Sequence, residues 1–135
     1  IDAAIEQQLR EWRSANFPNE TGGVLLGYHD FNISALVVVA ALPAPPDSKS
    51  SPRSFERGVE GLLQAVQEAS RRTAGIVGYV GEWHSHPPKH SASPSTDDFV
   101  QLADLARKMS EDGLPAVQLI VGEKDIQILQ STMKE

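Results

Sequence analysis

The chain has 135 residues, 40% of them hydrophobic and 22% charged, with a formal net charge of -6. That length and balance suit one α/β-sized globular domain with a real core, and the acidic excess argues against a broad nucleic-acid-binding face. Cysteine is absent, which excludes disulfides, thiolate catalysis and thiolate metal sites and leaves His and carboxylate to hold any metal.

The lack of cysteine fits a reducing, cytoplasmic compartment. No apolar run is long enough to span a bilayer; the best candidate, residues 35–42, has the length of a strand. The chain begins at Ile1 rather than Met, and the expectation is a domain, residues 1–135, cut from a longer polypeptide.

Residues 2–14 predict a helix, with Ile5, Leu9 and Trp12 on one stripe. Pro18 breaks it. Residues 24–28 predict a strand entered through Gly22-Gly23, followed by a turn at residues 29–32. The Val-rich run 35–42 is continuously apolar, as expected of a strand covered on both faces. Residues 43–52 are rich in Pro and Ser, without periodicity; they suit a solvated connector or a flap over substrate. Ser54 can cap a helix over residues 55–72 with Phe55, Val59, Leu62, Leu63 and Val66 facing inward. Residues 76–83 predict the next strand. Ser95 or Thr96 can cap a third helix carrying Phe99, Leu102, Ala103, Ala106 and Met109 on one side, with Gly113 placed to end it. Residues 116–121 and 126–129 predict a closing hairpin. Together these elements describe a single α/β domain, a mixed β-sheet packed against helices.

The chemistry concentrates in Gly81-Glu82-Trp83-His84-Ser85-His86-Pro87 and, downstream, Ser95-Thr96-Asp97-Asp98. Alternation along a strand points the imidazoles of His84 and His86 to the same side and Ser85 to the other. A single strand-end histidine is ordinarily structural, but a His-x-His pair beside a Pro-broken loop with a Ser and two Asp reads as a metal site. Asp97 or Asp98 can supply the third ligand from the first turn of a helix, where a carboxylate is also favoured by the dipole; Asp98 is preferred, because Asp97 suits a cap or solvent. Three ligands and an open position is the arrangement of a catalytic zinc, which can activate water. A general base is then required. Glu20, at the mouth of a strand, and Glu82, two residues before His84, both qualify, and spacing does not choose between them. Ser95 can donate to an oxyanion or simply cap a helix. His29 and His90 are left over, Lys89 can contact substrate, and Trp83 suits the core better than substrate contact.

Glu20, His84-Ser85-His86-Pro87, Ser95 and Asp98, together with the segment Glu20-Thr21-Gly22-Gly23-Val24-Leu25-Leu26-Gly27, resemble the JAMM motif of the JAB/MPN-plus metallopeptidases. The elements occur in the family's order, so the resemblance covers nearly the whole chain. It implies an MPN/JAB-like fold, Glu20 as general acid/base, zinc held by His84, His86 and Asp98, and Ser95 steadying the oxyanion. It implies hydrolysis of peptide or isopeptide bonds, often after the C-terminal tail of a ubiquitin-like protein. Such a tail would lie along a sheet edge by β-augmentation.

One departure stands out. The commonest family spacing would put Ser at Pro94 and Asp at Asp97; keeping Ser-x-x-Asp instead gives Ser95 and Asp98 with one extra loop residue. Among bacterial members the chain is similar to the deconjugating JAB peptidases of antiphage operons, which implies ubiquitin-activating-like and conjugating-like enzymes as partners, with no role for nucleic acid or membrane. The alternatives are a processing peptidase for sulfur-carrier proteins, an amidohydrolase on small molecules, or a non-catalytic MPN scaffold.

Overall fold

The computed structural model describes residues 2–87 and 116–131. In chain order the elements are α1 (Ala3–Ala15), β1 (Gly22–Asp30), β2 (Ala35–Ala41), β3 (Lys49–Ser51), β4 (Ser54–Glu56), α2 (Leu62–Arg72), β5 (Gly78–Ser85), β6 (Ala116–Val121) and β7 (Ile126–Ser131). Five strands form one sheet in the order β2-β1-β5-β6-β7, and β3 and β4 form a separate two-stranded ribbon. The β5–β6 pairing is parallel and the others are antiparallel, so the sheet is mixed, as expected.

Among the described residues, each face of the sheet takes one helix. Asp2 caps α1, its carboxylate accepting from Ala4 N–H at 2.7 Å. The predicted stripe of Ile5, Leu9 and Trp12 meets Leu25, Val80, Trp83, Val117, Leu119 and Val121. There Trp12 stacks on Trp83, centroids 5.6 Å apart, and the Trp83 indole N–H donates to Leu42 O at 2.8 Å; Trp83 is core, not substrate surface. On the opposite face Leu62, Val66 and Ala69 of α2 pack over Val24, Leu26 and Val77.

Four local expectations need correction. The helix expected from Phe55 starts at Leu62. Residues 54–56 are instead β4, paired with β3, so residues 43–52 also contain a strand. Gly61 at φ 80° interrupts the helical path, since only glycine enters that region cheaply. Ahead of it, both Asp47 oxygens collect backbone donors, from Glu60 N–H at 2.9 Å and Val59 N–H at 3.0 Å, fixing a turn where a helix was expected. Consequently Val59 and Leu63 are exposed, while Leu62 and Val66 do face the core.

β2 is the second correction. It touches both cores, through Leu36, Val38 and Ala41 on the α1 side and Ala40 and Leu42 on the α2 side. None of these is fully buried, because β2 is an edge of the five-stranded sheet. A register shift ejects Val39: Leu26 faces Ala40 and Gly27 faces Val38. Third, β1 extends through Asp30, so the turn falls at residues 31–34 rather than 29–32. Fourth, Ile76 is exposed and precedes β5. The closing hairpin forms as expected, with Val121 opposite Ile126. The third helix expected after Ser95 or Thr96 lies outside the described residues. Among the described residues no helix is long and apolar enough to cross a membrane.

A second bulge shapes β5. Leu25 pairs with Gly81 but Leu26 pairs with Tyr79, leaving Val80 without a partner on β1. Side-chain alternation therefore slips by one, so that Tyr79 and Glu82 share a face and their side chains hydrogen-bond at 2.9 Å.

Candidate metal centre

His84 and His86 come together as strand alternation requires. Their ring centroids are 5.3 Å apart, inclined at 44°, and both side chains are buried. β1 and β6 flank His84, through Gly22 and Ile120 respectively. Gly22 is needed there: a Cβ would run into the Trp83 carbonyl and lie 2.8 Å from the Phe55 ring.

Beyond β1 the pairing is continued by a side chain. Ser85 N–H donates to Thr21 O at 2.7 Å, while its hydroxyl accepts from Thr21 N–H at 2.9 Å and donates back to Thr21 O at 3.3 Å. Ser85 thus points away from the imidazoles and locks the two segments in register. Glu20 directly precedes Thr21 and so adjoins this corner. The Glu20 N–H donates to Ser51 O at 2.9 Å, tying the β3–β4 ribbon to this corner.

The strand end itself is held by α1. Arg13, only 5% exposed, donates through Nε to His86 O at 3.1 Å and through Nη2 to Pro87 O at 3.2 Å, and its guanidinium lies 4.7 Å over the Phe17 ring. Burial holds its pKa below the usual value, Glu123 working in the opposite direction. Pro87 ends the ladder, so this clamp fixes the direction in which the chain leaves the sheet.

Glu82, the other candidate base, is occupied. Arg57 donates to it from Nε and, at 3.4 Å, from Nη2, and the Tyr79 hydroxyl donates to it at 2.9 Å. Burial pulls the Arg57 pKa down, but the hydrogen bond and charge of Glu82 more than offset this and the net shift is upward. Burial, then the Glu82 charge, pushes the Tyr79 phenol far above its ordinary range, so it stays a donor. The geometry gives Glu82 a structural role in joining β5 to the segment before α2.

The donors fit a divalent ion: two imidazoles converge from positions i and i+2 in a chain lacking cysteine. Among the described residues no group of three metal-binding side chains occurs. The expected third ligand Asp98, its alternative Asp97, and Ser95 lie outside the described residues, as do Lys89 and His90. His29 lies elsewhere, at the end of β1 beside Phe31, and burial depresses its pKa.

The family described as prokaryotic homologs of the JAB domain matches residues 2–132. The chain belongs to that family. The JAB domain is 38% identical over 120 residues to the "CD-NTase/cGAS isopeptidase" of Enterobacter hormaechei subsp. hoffmannii (strain UCI 50), a match covering 89% of this chain and 64% of the relative. It is 29% identical over 110 residues to the "Probable metalloprotease y4qB" of Sinorhizobium fredii (strain NBRC 101917 / NGR234), covering 78% of this chain and 63% of the relative. The chain thus spans less than two thirds of the length of these relatives. A solution structure of protein DSY2949 from Desulfitobacterium hafniense superposes with a TM-score of 0.51 at 23% identity, covering 93% of this chain and 76% of that one, and shows the same fold.

Two residues of this JAB domain escaped the sequence reading. Arg13 follows Leu9 by four positions and so sits on the buried stripe of α1, an odd place for a cation without a task. Gln118 is the one polar residue in the otherwise apolar strand Ala116–Val121. It is 4% exposed, and its Nε2 lies 3.0 Å from His84 Nδ1.

Proposed function

We propose that this JAB domain is a zinc-dependent isopeptidase that releases a protein conjugated through the C-terminal tail of a ubiquitin-like modifier. The reading rests chiefly on one observation, the convergence of the His84 and His86 imidazoles at a sheet corner that also carries Glu20. The names of the relatives, isopeptidase and metalloprotease, support the same class of chemistry. They also suggest a CD-NTase/cGAS-type protein as the conjugated target; the resemblance to deconjugating JAB peptidases adds a bacterial antiviral setting with ubiquitin-activating-like and conjugating-like enzymes as partners.

His84 and His86 supply neutral nitrogen donors and Asp98 a carboxylate. Zinc held there would supply Lewis acidity and water of lowered pKa. Glu20 accepts the proton from the attacking water and delivers it to the leaving amine, one group serving as base and then acid. Ser95 donates a hydrogen bond to the oxyanion that develops at the scissile carbonyl. Glu82, committed to Arg57 and Tyr79, holds the strand in place instead.

The test is a fusion of a ubiquitin-like domain to a reporter through its native tail, with zinc content measured in parallel. Glu20→Gln is expected to retain zinc and lose cleavage by at least about 100-fold, the scale of general acid–base catalysis. His84→Ala is expected to lose both. Normal cleavage by Glu20→Gln overturns the role of Glu20, and cleavage untouched by chelators overturns the metal reading.

A further inference from the structure

Gln118 has no evident reason to be where it is. Val117, Leu119, Ile120 and Val121 around it are all buried and apolar, and a buried carboxamide costs free energy unless its hydrogen bonds are made. Its register neighbours are Glu82 on β5 and Leu129 on β7, in the middle of the sheet. The contact the structure shows is with the imidazole of His84, Nε2 to Nδ1 at 3.0 Å. Since this commits Nδ1 to the amide, Nε2 is the His84 nitrogen that faces an ion.

That assignment carries a constraint. An amide NH2 can only donate, so with Gln118 Nε2 on Nδ1 the neutral ring carries its proton on Nε2 and cannot ligate there. Turning the terminal amide by half a rotation exchanges its oxygen and nitrogen at nearly unchanged positions. Oε1 then accepts from Nδ1–H, and the Nε2 lone pair becomes available to a metal. The two states exclude one another, and both keep the 3.0 Å contact.

We propose that Gln118 is a positioning residue for His84: its amide holds the ring at Nδ1 and, with Oε1 accepting from Nδ1–H, presents the Nε2 lone pair to the ion. The inference rests on His84 being a metal ligand. Its content is that a neutral amide stands where a carboxylate or a backbone carbonyl often stands behind a ligating His.

The test uses Zn2+ alone, titrated against a chromophoric competitor, with long-range 1H–15N spectra reporting the His84 tautomer. Wild type is expected to show Nδ1–H with metal bound. Gln118→Met, close in volume, is expected to bind zinc 10–100-fold more weakly, the range for losing a partner behind a ligand. Gln118→Glu, whose carboxylate can only accept from Nδ1–H, is expected to restore binding to wild-type strength or better and to show Nδ1–H even without metal. If Gln118→Met does not fold, Gln118→Glu alone decides through its tautomer. Unchanged zinc affinity in a folded Gln118→Met, or an Nε2–H tautomer in metal-free Gln118→Glu, overturns the inference. If His84→Ala binds zinc as tightly as wild type, the metal reading itself fails instead.

Discussion

Replacing Ser85 by Ala isolates the smallest part of the corner where the segment carrying Glu20 meets the histidine strand. Ser85 is fully buried and Thr21 is 2% exposed. In the variant Thr21 O keeps its bond from the Ser85 position's own N–H, at 2.7 Å in the parent. Thr21 N–H loses its acceptor, the hydroxyl 2.9 Å away, at a position closed off from bulk solvent. An orphaned buried donor costs about 1–3 kcal/mol. For a domain of this size that corresponds to roughly 3–12 °C in Tm. The natural control is Ser54→Ala, which removes a hydroxyl from an exposed ribbon where Ser51 Oγ is its partner at 2.8 Å, and should shift stability by no more than about 0.5 kcal/mol. Urea and thermal unfolding of both variants measure the contrast. If Ser85→Ala unfolds at the same midpoint as Ser54→Ala, the side chain is not completing the β1–β5 ladder.

Arg13→Met removes two charge-assisted bonds to carbonyls while keeping most of the apolar stem; chemical denaturation should show a loss of about 2–4 kcal/mol, and Arg13→Lys should recover less than half because an ammonium cannot fork to both oxygens. Gly22→Val forces a branched side chain against the Phe55 ring and the Trp83 carbonyl, and is expected to cost about 1–3 kcal/mol or displace the ribbon, visible as shifted Phe55 resonances. Asp47 has its pKa held below the ordinary 3.8 by the N–H groups of Val59 and Glu60. Its contribution is therefore complete above that value and declines as pH falls toward the folded pKa. Asp47→Asn should accordingly flatten the acid limb of the stability curve below about pH 4 while lowering stability at neutral pH, as followed by circular dichroism.

The parts of this fold legible in the sequence are those governed by one strong local pattern. The α1 stripe, the β6–β7 hairpin and the facing of His84 and His86 all follow from simple periodicity. Where two signals competed, the reading failed. Phe55 to Val66 has apolar residues at helical spacing, yet Gly61 and the Asp47 turn divide it, and Asp47 acts from more than ten residues upstream. The Val-rich β2 looks central because apolar content cannot reveal whether a strand has a neighbour on each side. Glu20 and Glu82 could not be separated by spacing; the partners of Glu82, Arg57 and Tyr79, are brought to it by tertiary contact and by the bulge. Arg13 and Gln118 were visible only as polar residues out of place, a signal that marks a position without naming its partner.

The unpaired Val80 has a consequence for how this strand tolerates change. Val80 acts as a phase-shifter: on its N-terminal side the strand is keyed to α2 through Tyr79, and on its C-terminal side to the imidazole pair. Flattening the bulge with Val80 kept in a regular ladder would oblige either the phenol or the histidines to emerge on the wrong side of the sheet. The irregularity therefore works as a joint between two halves of one strand, allowing the packing end to drift in sequence while the chemical end keeps its heading.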